Sequence, residues 1–127
     1  MLKKKSITTT KKRNLFGVIY LQTTANNTIL TLTDLAGNTQ AWCSSGCAGF
    51  KNSRKSTSYA AQAAAEKLAK KAKQLGYEMI SIKMKGLGFG KELSIKGLKN
   101  GGLSIKKIED LTPISYNGCR PPKKRRK

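Results

Sequence analysis

The sequence predicts an α/β fold, a five-stranded mixed sheet whose elements follow the order β-β-β-α-β-α-β. Three β-branched segments come first, an alanine-rich helix follows, and the rest of the chain alternates strand, helix and strand. Consecutive strands joined by short turns pair antiparallel, whereas strands joined through a helix pair parallel. The sheet therefore combines an antiparallel part with a parallel part, and the helices pack on it.

The first three predicted strands form an antiparallel meander. They are rich in Val, Ile, Leu and Thr and cover residues 17–24, 28–33 and 39–44. Asn26 and Asn27 stand between the first two strands and suit a two-residue hairpin turn, because Asn tolerates a positive φ. Residues 34–38, with Asp first and Gly late, are typical of a second turn.

An alanine-rich segment at residues 59–75 predicts the main helix. Thr57 is a suitable N-cap and Gly76 a suitable C-terminal stop. Apolar residues at helical spacing define one face, made of Ala61, Ala65, Leu68, Ala72 and Leu75. Because these side chains are mostly small, we expect the helix to lie close to the sheet. Its lysines point mostly away from that face and are interpreted as a solvated surface.

The second half of the chain continues with a strand at residues 79–85, in which apolar and polar residues alternate. A glycine-rich loop at residues 86–91 then opens a short helix, which ends at the glycine pair 101–102. The last predicted strand covers residues 103–108. Its alternation slips at Lys107, which predicts a bulge.

The composition favours a nucleic-acid partner. The 127 residues include 26 Lys and Arg, 6 Asp and Glu and no His, a formal net charge of +20. Such a charge opposes a compact free monomer, and a polyanion relieves it. The cations are spread along the chain and not along one amphipathic helix, so nucleic acid fits better than a membrane surface. No apolar run approaches the ~20 residues of a membrane span.

The length predicts one domain with basic arms at both ends. Residues 1–14 form a Lys- and Thr-rich N-terminal arm, residues 15–115 the domain, and residues 116–127 the C-terminal tail. The tail has no acid and ends in five cations. Pro121 and Pro122 favour an extended backbone, so we expect a stiff arm that needs an anionic surface. A solvated terminus or a nuclear-localisation-like run is the plainer alternative.

Two loops have the composition of phosphate-binding sites. Arg54 and Lys55 precede the main helix, where backbone amides and the helix dipole also attract anions. The glycine loop at 86–91 can donate backbone amides to phosphate, although a tight turn explains its glycines equally well. It matches no nucleotide motif, because Lys85 and Lys91 stand where those motifs require glycine.

The sequence does not predict an enzyme. Metal-dependent phosphodiester cleavage needs several convergent carboxylates, and none of the six acids lies on the first predicted strand. Without His, the Ser/His/Asp and Cys/His mechanisms are excluded. Cys43, Cys47 and Cys119 form no regular framework, so we expect reduced thiols, no metal and no cofactor. A zinc site of three thiolates is an alternative of little weight.

The tail segment at 117–126, NGCRPPKKRR, and several internal blocks match one family pattern in the same order. The internal blocks include Asn26-Asn27-Thr28-Ile29, Ser53-Arg54-Lys55-Ser56-Thr57, Gly90-Lys91-Glu92 and Asp110-Leu111-Thr112-Pro113-Ile114. In these blocks the sequence resembles the universal small-subunit ribosomal protein eleven family. The resemblance covers about residues 17 to 126. In one departure, Tyr116 stands where the bacterial pattern has His.

The resemblance implies a ribonuclease-H-like sheet and a structural role in the small ribosomal subunit. It implies binding to small-subunit rRNA on the platform near the mRNA exit side, beside the platform proteins six, eighteen and seven of bacterial nomenclature. The glycine loop is most similar to that of mitochondrion-encoded members. A mitochondrial location is therefore expected, with the bacterial cytoplasm or a plastid as alternatives. The rival function is a free-standing basic regulator that binds DNA or RNA.

The resemblance and the loop chemistry together place the expected rRNA contacts in four segments: the first hairpin turn, the loop before the main helix, the glycine loop and the tail. The candidate residues are Asn26, Asn27, Lys51, Asn52, Ser53, Arg54, Lys55, Ser56, Thr57, Lys85, Gly86, Gly88, Gly90, Lys91, Asn117, Gly118, Arg120, Pro121, Pro122, Lys123, Lys124, Arg125, Arg126 and Lys127.

Overall fold

A computed structural model describes residues 15–88 and 90–126. Its elements are β1 (Leu15–Thr23), β2 (Thr28–Thr33), β3 (Thr39–Ser44), a 3-10 helix (Asn52–Ser56), α1 (Ser58–Leu75), β4 (Tyr77–Gly86), α2 (Lys91–Asn100) and β5 (Ser104–Asp110). The predicted order of strands and helices is confirmed. The predicted N-terminal arm, Phe89 and Lys127 lie outside the described residues.

The five strands form one mixed sheet in the order β3-β2-β1-β4-β5. β2 pairs antiparallel with β1 and β3, whereas β4 pairs parallel with β1 and β5. The predicted bulge in β5 is confirmed, because Ile80 pairs with Ile105 and Ser81 with Lys107, which leaves Lys106 as the extra residue. Since β1, β4 and β5 run in the same direction, their C-terminal ends meet at one end of the sheet.

The first hairpin turn differs from the prediction. Among the described residues, a positive φ outside glycine occurs at Asn52 (55°) and Asn117 (58°), and not at Asn26 or Asn27. The Thr24 N–H donates to the Asn27 carbonyl (2.9 Å), and the Thr24 hydroxyl accepts from the N–H groups of Asn26 and Asn27. A threonine side chain therefore closes a longer turn, so no residue in it needs a left-handed backbone.

Both predicted ends of α1 are confirmed. The Thr57 hydroxyl accepts from the Ala60 N–H (3.2 Å), and Gly76 ends the helix at φ 98°. The buried face consists of Ala60, Ala61, Ala64, Ala65, Leu68, Ala69 and Ala72. Leu75 was predicted on this face but is 47% exposed, because it lies over the β3 edge in an open groove shared with Trp42.

α2 packs against α1 through glycines. A Cβ at Gly97 would lie 2.8 Å from the Ala65 Cβ, and a Cβ at Gly101 would collide with Ala69. The alanines of α1 therefore allow a close approach to α2 as well as to the sheet. The core lies between the sheet and these helices and includes Ile19, Leu21, Leu30, Leu32, Leu68, Ile80, Ile82 and Leu98.

Candidate nucleic-acid interface

Three segments predicted to bind RNA lie at the end of the sheet where β1, β4 and β5 terminate, and the chain that leads into the fourth, the tail, leaves β5 at this end. The first hairpin turn follows β1, the glycine loop follows β4, and the tail follows β5. The loop before α1 reaches the same end, since Ser45 N–H donates to the Thr28 carbonyl (3.0 Å) at the start of β2. Gly90 lies against Thr28 and against Ala61 in the first turn of α1. We call this region the loop end of the sheet.

The loop before α1 contains a short 3-10 helix that is joined to α1 by side-chain hydrogen bonds. The Thr57 hydroxyl, which caps α1, also donates to the Arg54 carbonyl (2.8 Å). One residue earlier, the Ser56 hydroxyl donates to the Ser53 carbonyl (2.8 Å). These bonds fix the backbone that carries Arg54, so the position of this cation is set by the start of α1.

A shallow concavity of about 320 Å³ lies beside the 3-10 helix and is lined by Gly49, Lys51, Asn52, Ser53 and Arg54. The side chains of Lys51 and Arg54 are exposed. Lys55 is half-buried, and its stem lies beside Gly46. A polar, open and positively charged concavity of this kind suits a phosphate group.

The glycines of the second loop allow it to pack against the ends of β1 and β2. Gly86 has a φ of 112°, and a Cβ there would collide with the Thr23 carbonyl. A Cβ at Gly90 would lie 2.6 Å from the Thr28 hydroxyl. Close packing and, at Gly86, a positive φ are therefore sufficient to explain these two glycines.

Two amides of the glycine loop are already engaged inside the protein. The Gly86 N–H donates to the Thr112 hydroxyl (3.2 Å), and the Gly88 N–H donates to the Thr23 hydroxyl (3.1 Å). The backbone cradle expected here is therefore not available at these two positions. The charge that this loop offers an anion comes instead from Lys85, which is exposed near the end of β4.

A cluster around Asp110 fixes the path of the chain into the tail. The Asp110 carboxylate accepts from the Thr112 hydroxyl (2.6 Å), the Thr112 N–H (3.1 Å) and Lys91 Nζ (3.3 Å). The hydrogen bonds from Thr112, and then the one from Lys91, hold the pKa of Asp110 below its usual value. Lys91 is thus paired in the free protein, and a phosphate would compete with Asp110 for it.

The chain from residue 111 through the tail to residue 126 has no regular secondary structure, and the side chains of residues 113–126 are exposed. Asn117 adopts a φ of 58°, which bends the backbone just before Gly118. Tyr116 is 96% exposed, so its ring is free to stack on a base or sugar. The cations that follow form an extended, accessible series.

Threonine hydroxyls hold this region together, and the sequence reasoning missed them. Thr23 and Thr112 accept from the glycine-loop amides, and Thr24 closes the hairpin turn. The signal was present, because each of these residues stands at or just beyond a strand end. Thr23 and Thr24 were assigned to a strand and Thr112 to a family block, so their side-chain hydrogen bonds to the loop backbone were not predicted.

Two α1 lysines are not simply solvated, contrary to the interpretation from the sequence. Lys67 Nζ donates to the Cys47 carbonyl (3.1 Å), and Lys71 Nζ donates to the Trp42 carbonyl (3.4 Å). These bonds tie the helix to the loop and to the exposed edge of β3. Lys67 and Lys71 therefore serve the protein's own structure.

Within the described residues, no group of three His, Cys, Asp or Glu side chains is placed to hold a metal ion. Cys43 is buried, and burial raises the pKa of its thiol, so it stays protonated. Cys47 and Cys119 are exposed free thiols. None of the described helices has the length and apolar composition needed to cross a bilayer.

Comparison with known proteins gives consistent matches. The family model described as ribosomal protein S11 matches residues 17–126. The chain is 60% identical over 110 residues to the small ribosomal subunit protein uS11m of Prototheca wickerhamii, covering 87% of this chain and 86% of the relative. Identity to uS11m of Marchantia polymorpha is 62% over 103 residues, covering 81% and 82%. Identity to uS11c of Oltmannsiellopsis viridis is 54% over 110 residues, covering 87% and 85%.

Proposed function

The chain belongs to the ribosomal protein S11 family, and from this premise we propose that it binds small-subunit rRNA through the loop end of the sheet and the tail. It is a structural protein of the small ribosomal subunit and not an enzyme. The proposed position is the platform near the mRNA exit side, beside the proteins numbered six, eighteen and seven in bacterial nomenclature. The uS11m relatives support a mitochondrial ribosome, and the uS11c relative shows that a plastid type also exists.

The observation that carries this proposal is that three polar or basic loops lie at one end of the sheet, and that the chain leaves β5 for the basic tail at the same end. Parallel pairing of β1, β4 and β5 brings together strand ends that are far apart in sequence. Exposed cations occur there at Lys51, Arg54 and Lys85, and along the tail. Such a surface can meet several phosphates of a folded RNA at once, and each neutralised phosphate releases a counterion.

Rigidity of the loop end also favours binding. Hydroxyl groups of Thr23, Thr57 and Thr112 fix the loops before any RNA is present. Little backbone entropy is then lost when phosphates dock on them. The tail is different, since it has no regular structure; its two adjacent prolines limit the conformations that binding must suppress.

The test is the salt dependence of rRNA binding by the Arg54→Ala, Lys55→Ala double variant. Loss of two phosphate contacts should weaken binding and lower the slope of log K against log salt by about 1.4–1.8. The matched control is Lys67→Ala, Lys71→Ala, which removes the same charge from side chains bonded within the protein. An equal change of slope in the two double variants would show that Arg54 and Lys55 have no special role.

Location provides a second test, because the rival function is a free-standing regulator. In sedimented organelle extracts, the chain should run with small subunits. Co-sedimentation with large genomic DNA, and absence from small subunits, would favour the rival and overturn the proposal.

A further inference from the structure

The face of the sheet opposite the helices carries apolar side chains that no described helix covers. Side chains alternate along strands, so the positions next to buried Ile19, Leu21, Leu30 and Cys43 point the other way. We call this surface the open face; it is formed by Val18, Tyr20, Ile29, Thr31, Trp42, Ser81, Lys83 and Lys85. Tyr20 is 39% exposed, Ile29 37% and Trp42 53%.

The register places four of these side chains in one row across the sheet. Trp42 pairs with Thr31, Thr31 with Tyr20, and Tyr20 with Lys83. Neighbouring strands lie about 4.8 Å apart, so the backbones that carry the two aromatic rings are about 10 Å apart. A cavity of about 470 Å³ opens over the part of this row from Thr31 to Lys83, and its lining includes Tyr20, Thr31, Lys83 and Leu111 but not Trp42.

We propose that the open face is a docking surface for a neighbouring protein of the small subunit. The partner would present an apolar segment to Tyr20, Ile29 and Trp42 and place a carboxylate near Lys83. The inference rests on the proposed function only in that the chain must be part of an assembled subunit. It adds a protein-binding surface to a molecule whose proposed RNA contacts lie at the loop end and in the tail.

The distribution of charge favours a protein over RNA at this face. On β5, Lys107 bonds to Glu109 (3.1 Å), so these two charges offset each other and Lys106 is the further exposed cation of this strand. Lys83 Nζ lies over the Tyr20 ring, 5.8 Å from its centroid. The open face is thus far less positive than the tail, in a chain of net charge +20. Lys83 is enough to select a carboxylate but provides few phosphate contacts.

The residue types of the open face also favour a protein partner over RNA. Tyr and Trp dominate the binding energy of protein interfaces, where they sit in desolvated centres. Contiguous exposed apolar surface on a soluble chain commonly marks a protein interaction site. A second copy of this chain is a poor occupant, because two chains of charge +20 repel each other strongly. A mildly acidic, partly apolar neighbour meets each of these conditions.

The main experiment places a photo-crosslinker at the β3 edge of the patch, at its most exposed aromatic residue. The full chain carrying p-benzoylphenylalanine in place of Trp42 is assembled with the organelle's own rRNA and proteins, and purified small subunits are irradiated. The expected product is a crosslink to a different ribosomal protein, in a segment that contains apolar residues and at least one Asp or Glu. The same crosslinker at Tyr20 should reach the same protein, which covers the case in which one variant fails to assemble.

Charge reversal tests the carboxylate contact. Lys83→Glu should lower the yield of that crosslink by at least about fivefold. The matched control, Lys96→Glu at an exposed position of α2, should leave the yield unchanged. A crosslink to rRNA, to a second copy or to no protein in assembled subunits would overturn the inference. Absence of the chain from small subunits would instead overturn the proposed function.

The free protein gives an independent readout, because Trp42 is the sole tryptophan of the chain. The free protein is titrated with a uridine 12-mer, and binding is measured by the fluorescence anisotropy of a labelled oligonucleotide. The protein should become saturated with RNA while Trp42 fluorescence stays unquenched. Stacking of bases on the open face would quench it, and a quench that follows the binding curve would identify this surface as an RNA platform.

Discussion

At the scale of single residues, Gly86 shows how backbone packing restricts the choice of side chain. Its φ is 112°, and a Cβ would collide with the Thr23 carbonyl. Gly86→Ala should therefore reduce the free energy of unfolding by about 2–4 kcal/mol, the sum of backbone strain and overpacking. Urea denaturation followed by circular dichroism measures this loss.

Gly37 is the matched control for that substitution. It has a similar φ of 97°, but nothing lies within 4 Å of its Cβ position. Gly37→Ala should cost about 1 kcal/mol, from backbone strain alone. If the two variants lost the same stability, the collision at Gly86 would be relieved by a small shift, and the close approach to β1 would not constrain the loop.

The pKa of Asp110 depends on the hydrogen bonds that fix the path of the chain into the tail. Its folded-state pKa is depressed, chiefly by Thr112, so its contribution to stability is present above the unfolded pKa of about 3.9 and is lost as pH falls through the folded pKa. Thr112→Val should return this pKa toward the ordinary value in a carboxyl NMR titration. The pKa of Asp34, lowered chiefly by the Asn38 N–H, should stay where it is.

At the scale of elements, Thr57 joins the 3-10 helix to α1 with one hydroxyl. That hydroxyl accepts from the Ala60 N–H and donates to the Arg54 carbonyl. Thr57→Ala should cost about 1 kcal/mol of unfolding free energy, the usual value of an N-cap. Thr57→Ser keeps both hydrogen bonds and should retain most of the stability. An alanine variant as stable as the serine variant would show that the cap does not stabilise α1.

The pairing of α1 with α2 shows how small side chains determine the spacing of elements. Gly97 of α2 and Gly101, which ends that helix, meet Ala65 and Ala69 of α1, so the two backbones come close. In turn, α1 covers the sheet with alanines and Leu68. Little apolar volume is buried per residue, and the stability of the domain depends on close packing over a large area.

At the scale of the whole molecule, charge and core oppose each other. The like charges of a chain with net charge +20 repel one another and destabilise the folded state. The exposed cations of the tail add to this repulsion without contributing packing contacts to the core. Deleting residues 120–127 should therefore leave thermal unfolding of the free domain nearly unchanged, while incorporation into small subunits falls. Calorimetry and quantitative mass spectrometry of purified subunits measure the two effects.

A tail of equal length with its cations replaced by Gln is the control for that deletion. It should assemble as poorly as the truncated chain if phosphate neutralisation is what the tail supplies. Normal incorporation of the truncated chain would make the tail a passive terminus. Normal incorporation of the Gln variant alone would assign the tail a steric role.

Much of the fold and part of the candidate site follow from local chemistry. Residue composition and turn residues predicted the first three strands, and the alternation of apolar and polar residues predicted the last two. Thr57 and Gly76 marked the ends of α1, and the slip at Lys107 predicted the bulge. These features depend on backbone preferences within a few residues of each position. Leu75 was misplaced because helical spacing identifies a face but does not show where the sheet beneath it ends.

Only the tertiary structure shows the contacts between segments that are distant in sequence. Thr112 bonds to Gly86, Thr23 to Gly88, and Lys91 to Asp110, so amides and a cation predicted to be free for phosphate have partners inside the protein. The open face also becomes visible only once both crossover helices are seen on one side of the sheet. By itself, the sequence determined the order of elements and the basic character of the chain, because both are local. Which cations are free was decided by packing, because competition for each donor depends on three-dimensional neighbours.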